Sequence, residues 1–165
     1  MQKHTLLTSD DYEVYVNLIN SRAGKYISGM PHVASLMAQI LKQKKLPAQK
    51  SIILENDLGR VIGNCYTVQT SEKDLVFYAQ PLKSPNHKRY VRHRQPEQTS
   101  VLTMILNRDD NGDFEVSDVW HGAYTPPFPG EDDEKSDSHT FWREHAVIAD
   151  PHTNQQRTIT SEWPY

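Results

Sequence analysis

The chain has 165 residues, 36% hydrophobic and 24% charged, with a formal net charge of −3, eight histidines and one cysteine. That length suits one domain with room for a core, and no apolar run approaches the ~18 residues of a membrane helix. The lone Cys65 excludes an intrachain disulfide framework and a multi-cysteine zinc site, and the opening residues 1–7 lack the apolar core of a signal peptide, so a cytoplasmic protein is expected.

In chain order, Thr8-Ser9-Asp10-Asp11 supplies an N-cap and carboxylates for a first helix, in which Tyr12, Tyr15, Val16 and Ile19 follow helical spacing and Gly24 marks the stop. A second helix starts near Pro31. Val33, Leu36, Met37, Ile40 and Leu41 form its apolar stripe, Lys42, Lys44 and Lys45 complement its C-terminal end, and Pro47 lies beyond. His32, near its start, is either a surface residue, a cap contact or a site residue.

From Ser51 the apolar period changes. Residues 51–56 and 61–68 read as strands joined by a turn at Asp57-Leu58-Gly59-Arg60, and residues 75–80 as a third strand. Pro81 and Pro85 bracket a loop that leads to a basic segment. Residues 101–106, apolar at almost every position, fit a central strand covered on both faces. Residues 114–121 return antiparallel after Asp109-Asp110-Asn111-Gly112. That turn lacks the calcium-loop pattern, because Gly112 precedes Asp113 and no Glu follows at the required distance, so a hairpin is expected.

Residues 124–137 read as a loop holding Pro126-Pro127-Phe128-Pro129-Gly130 and Glu131-Asp132-Asp133-Glu134. A short final helix follows through Ala146, with Phe141, Trp142 and His145 on one face. The expected architecture is α+β: two N-terminal helices, a mainly antiparallel sheet of about five strands and one short C-terminal helix. Residues 1–148 would form a single domain, and residues 149–165 a tail with little core to contribute.

The net charge hides an uneven distribution. Residues 1–128 carry 15 Lys/Arg against 13 Asp/Glu, whereas residues 129–165 carry 3 against 8. Between Asp74 and Glu97 there is no acidic residue, yet that interval holds Lys83, His87, Lys88, Arg89, Arg92, His93 and Arg94. Such a block is either a solvated basic face or an anion site.

Several chemistries find no signal. There is no His-Glu-x-x-His, and His139 and His145, six residues apart, lie roughly 240° apart on a helix and cannot converge on one ion. No nucleophile elbow, P-loop or dinucleotide fingerprint is present, and Cys65 reads as a small buried residue rather than a nucleophile. No metal and no cofactor are therefore expected. RNA cleavage without metal needs only a base for the 2′-hydroxyl, an acid for the leaving oxygen and cations for the phosphate. Histidine and arginine suit those tasks. If residues 87–94 are extended, Arg89, Val91 and His93 face one way and Tyr90, Arg92 and Arg94 the other. Thr99, Ser100 and Thr103 follow, and His121, Tyr124 and His145 are candidates to reach the same sheet edge.

Arg89-Tyr90-Val91, Pro96-Glu97-Gln98-Thr99-Ser100-Val101-Leu102-Thr103, a strand ending at Gly122, the Pro126–Gly130 loop and Ser138-His139-Thr140-Phe141-Trp142-Arg143-Glu144-His145-Ala146 occur in this order. Over residues 87–147 this resembles small bacterial and mobile-element proteins ending in a Ser…Phe-Trp…His-Ala segment. These are remotely similar to the barnase–EndoU–colicin–RelE superfamily of ribonuclease toxins. The resemblance implies a toxin-type endoribonuclease that leaves a 2′,3′-cyclic phosphate. The resemblance points to Arg89, Thr99 and Thr103 in the sheet and His145 in the closing helix, with His32 as a further member. Taken with the basic segment, His93, His145, Arg89, Arg92 and Thr103 are the candidate catalytic residues. His32, His87, Lys88, Arg94, Thr99, His121 and Tyr124 are the candidate substrate contacts. RNA and a protein partner, such as an immunity protein or antitoxin, would be its partners, and no membrane. The alternative is a non-catalytic RNA- or protein-binding module, regulatory or immunity-like, that uses the basic strand or the acidic loop.

Overall fold

The computed structural model describes residues 3–4, 7–11, 13, 41–44, 46, 48–81, 86–131, 135–149 and 156–160. Among the described residues it is a mixed α/β structure of mostly antiparallel strands with few helices. The chain divides into two compact units: residues 1–63 with 98–124, and residues 64–97 with 125–165. No described helix is long and apolar enough to cross a membrane.

Unit 1 contains a four-stranded sheet in the order β1 (Lys3–His4), β2 (Ser51–Asp57), β8 (Val101–Arg108), β9 (Phe114–His121). Only the β1–β2 pairing is parallel. Alternation puts Ile52 and Leu54 opposite Leu106 and Met104 on one face. With Leu7, Leu41, Leu58, Leu102 and Phe114 they make the larger core cluster. At the end of that face Asn56, 1% exposed, accepts a hydrogen bond from the Leu7 N–H at 3.0 Å. That bond replaces water for the side-chain oxygen, while the buried Nδ2 has no hydrogen-bond partner among the described residues.

The turn after β2 forms as expected. Gly59 has φ +76, and its N–H donates to the Asp57 carboxylate at 2.9 Å. The Ser100 hydroxyl, and then this N–H, hold the Asp57 carboxyl below its ordinary range. The β8–β9 hairpin closes in the same way. Asp109 Oδ1 accepts from the N–H groups of Asn111 and Asp113, each at 2.9 Å, so the turn's first carboxylate serves the backbone.

Of the two N-terminal helices expected, residues 9–11 and 13 and residues 41–42 are helical. Thr8 and Asp11 form a reciprocal cap at the first: the Thr8 N–H donates to the Asp11 carboxylate at 2.9 Å, and the Asp11 N–H donates back to Thr8 Oγ1 at 3.3 Å. The rest of both expected spans, His32 included, lies outside the described residues.

Unit 2 contains a five-stranded sheet in the order β11 (Gln156–Thr160), β5 (Leu75–Pro81), β6 (Lys88–Arg92), β10 (His145–Ile148), β4 (Thr67–Gln69). The β6–β10 pairing is parallel and the others antiparallel. Apolar clusters form from alternate residues: Val68, Val91, Ala146 and Ile148 in one, Phe77, Ala79 and Tyr90 in the other. Between the two sheets in sequence, β3 (Gly63–Cys65) and β7 (Glu97–Thr99) pair as a two-stranded ribbon, and the chain changes unit within each.

Three elements differ from the sequence expectation. The strand expected over 61–68 is two short strands, β3 and β4. The final helix, α1 (Ser138–Glu144), stops before His145, and the Ala146-Val147-Ile148 run enters the sheet instead. A strand with one face buried by Ala146 and Ile148 gains more from that run than one further helical turn would. Residues Gln156–Thr160, expected in a tail, pair with β5.

Candidate functional site

The basic segment lies in unit 2, and its register decides what it can reach. Val147 pairs with Tyr90 and Ile148 with Val91. Carried two residues back, this parallel register sets His145 level with Lys88, on the face that carries Tyr90 and Val147. Adjacent strands lie about 4.8 Å apart, so the backbones of His145 and Lys88 are neighbours.

His145 closes α1. Its ring stacks on Phe141, with centroids 4.0 Å apart and planes within 2°. Its Nδ1 lies 3.0 Å from the Phe141 carbonyl oxygen. The helix is anchored by Trp142, which is 5% exposed and donates its indole N–H to the Pro126 carbonyl at 3.0 Å. Its ring also packs on Phe128 at 4.5 Å. Trp142 is thus a structural anchor rather than a free base-stacking surface. The loop it fixes delivers Glu131 to Lys88, with carboxylate and ammonium 3.6 Å apart.

The three arginines are engaged within the unit. Arg89 donates from Nη1 to Thr70 Oγ1 at 2.7 Å and to the His145 carbonyl at 3.0 Å, pinning the start of β10. Arg92 stands 4.2 Å over the Phe77 ring. Arg94 binds both oxygens of Asp74, at 3.1 and 3.2 Å. The Ser71 N–H, the largest effect, holds the Asp74 carboxyl below its ordinary value; burial opposes it, and Arg94 adds to the lowering.

His93 does not continue the strand. β6 ends at Arg92, and His93 has φ +58, the left-handed region that histidine enters more readily than most residues. The alternation expected through residue 93 therefore breaks there. His93 lies five residues beyond the level of His145, about 16 Å along the strand at ~3.3 Å per residue. The sheet does not bring these two histidines together. Of the basic-segment candidates, Lys88 is the one the register sets at the His145 level, and His87 precedes it just outside the strand.

The other candidates belong to unit 1. Thr103 is fully buried and donates its hydroxyl to the Gly122 carbonyl at 2.7 Å, which makes it a fastener of that loop. Thr99 Oγ1 accepts from the Val101 N–H at 3.0 Å. The Tyr124 N–H donates to Glu55 at 2.6 Å, and its ring tilts against Trp120. His121 packs against Gly63 so closely that a Cβ there would sit 2.2 Å from its Nδ1.

Burial pushes the His121 pKa below its ordinary 6.5. The unfolded chain then binds this proton more readily than the native one. The associated stability is present above about pH 6.5 and is lost as pH falls through the lower native value. The thermal midpoint is expected to drop from about pH 7 to about pH 5, and His121→Gln to flatten that slope. An unchanged slope in the variant would contradict the assignment.

Two reactive side chains are disfavoured as nucleophile or acid. Burial, the largest effect, pushes the Cys65 thiol up, while its S–H points to the Thr67 carbonyl at 3.3 Å. Burial also raises the Tyr90 phenol to about 12. Among the described residues no group of three or more His, Cys, Asp or Glu is placed to hold a metal.

Thr70, Phe141 and Glu131 are the residues around this site that motif reading did not assign to it. Thr70 and Glu131 touch a candidate through tertiary contact. Phe141 alone carried a signal, its four-residue spacing from His145 on a helix. Comparison with known protein families, with curated proteins and with solved structures finds no match for the chain.

Proposed function

We propose that unit 2 cleaves RNA without a metal, through a 2′,3′-cyclic phosphate, at a site centred on His145 and Lys88. The observation that carries this reading is their level placement on adjoining strands of one sheet face, in a segment free of acidic residues from 75 to 96. His145 takes the 2′-hydroxyl proton, and the 2′-oxygen attacks phosphorus. Lys88 stabilises the charge that grows on the phosphate oxygens, and the bond to the 5′-oxygen breaks as a proton from solvent reaches it. Arg89 acts through the His145 backbone rather than on the phosphate.

Glu131 stands where an anion would meet Lys88. A partly exposed ion pair of this kind is worth ~0–1 kcal/mol, so a phosphate can displace it. Lys88→Ala is expected to lower RNA cleavage in EDTA by about 100-fold, and Glu131→Gln to raise RNA affinity by about two- to fivefold. Wild-type activity in Lys88→Ala would overturn the proposal.

A second reading, a binding module without catalysis, draws support from the arginines. Arg89, Arg92 and Arg94 already hold internal partners. Retention of intact RNA by the wild-type protein, with no fragments in EDTA, would favour this reading.

A further inference from the structure

We infer that Phe141 is a positioning residue that holds His145 as its Nδ1–H tautomer and so presents Nε2 as the proton acceptor. The role given to Nε2 rests on the ribonuclease reading; the tautomer rests on geometry alone. A carbonyl oxygen only accepts, so the 3.0 Å contact between Nδ1 and the Phe141 oxygen requires the proton to sit on Nδ1. The same oxygen accepts the His145 backbone N–H at the end of α1, so both its lone pairs are used by one residue.

The phenyl ring adds the orientation. Stacked at 4.0 Å and 2° on the imidazole, it leaves the ring little freedom to turn away from that carbonyl. From the other side, Arg89 fixes the His145 carbonyl at 3.0 Å and so holds the backbone from which the ring hangs. In the neutral ring the lone pair is then on Nε2, the atom farthest from the backbone. A base that must receive a proton and later release it works best when one nitrogen is assigned to that task throughout.

The test is long-range nitrogen–proton correlation spectroscopy on the full chain, labelled with nitrogen-15. Neutral His145 is expected to show a pyrrole-like Nδ1 and a pyridine-like Nε2. One net hydrogen bond biases the tautomer by roughly fivefold. Phe141→Ala should let the two nitrogens average, whereas Phe141→Tyr, which keeps the ring, should preserve the wild-type pattern. The backbone amide spectrum reports whether each variant folds. In the cleavage assay Phe141→Ala should lower kcat more than it raises KM, with Phe141→Tyr restoring it. An Nε2–H tautomer in the wild-type protein, or the wild-type tautomer unchanged in Phe141→Ala, overturns the inference. The expected tautomers in a protein that cleaves no RNA would uphold the positioning by Phe141 and remove the ribonuclease reading.

Discussion

Trp142→Ala is expected to destabilise unit 2 by about 3–5 kcal/mol, the range for deleting a buried aromatic side chain. Trp142 is 5% exposed, packs on Phe128 at 4.5 Å and meets Phe141 edge-on at 5.0 Å. It also donates to the Pro126 carbonyl, so the substitution opens a cavity and removes a hydrogen bond at once. Trp142→Phe keeps most of the packing and loses the N–H, for a cost of about 1 kcal/mol. Leu75→Ala, at a position 58% exposed in the same unit, is the surface control and should stay within about 0.5 kcal/mol. Urea titration followed by tryptophan fluorescence and circular dichroism reads all three. Equal stability of Trp142→Ala and Leu75→Ala would show that α1 does not depend on this anchor.

His145→Ala is expected to lower RNA cleavage in EDTA by about 10²–10⁴-fold, the usual contribution of a positioned acid or base. Stability should change far less, because the imidazole is only half-buried and its main contacts are the Phe141 ring and carbonyl. His93→Ala is the informative comparison. Register places His93 about 16 Å along the strand from the His145 level, so its removal should reduce the rate less than tenfold. A loss in His93→Ala equal to that in His145→Ala would mean that the two histidines act together after all. The sheet register would then be the part of the account to give up.

The contrast between these histidines shows where a linear reading stops. Strands β2, β8 and β9 were legible because short apolar segments meet a turn with obvious chemistry, as at Gly59 and at Asp109–Gly112. The helix carrying Trp142 was legible from Phe141, Trp142 and His145, whose spacing puts them on one helical face. Its end was not, because no Gly or Pro separates Glu144 from the strand that follows. The β-branched pair Val147-Ile148 was the signal for that switch. Thr158-Ile159-Thr160 carried a similar one, masked by the polar residues around it.

The site was legible by residue type and not by arrangement. Composition singled out residues 87–94, but their meaning depends on β10 lying parallel to β6, a pairing between segments more than fifty residues apart. Treating the segment as one extended strand put His93 on a common face with Arg89. A single positive φ at His93 undoes that alternation, and no side-chain pattern announces it. The arginines likewise read as free cations in the sequence, whereas Thr70, Phe77 and Asp74 engage them in the fold. The surviving cation at the His145 level is Lys88, whose partner Glu131 comes from the acidic loop.

The most direct test is the chemical identity of the ends made when the wild-type protein meets single-stranded RNA in excess EDTA. The account predicts fragments ending in 2′,3′-cyclic phosphate with 5′-hydroxyl partners, since the attacking oxygen comes from the RNA itself. Fragments with 3′-hydroxyl and 5′-phosphate ends, or RNA that is bound and left intact, would contradict it.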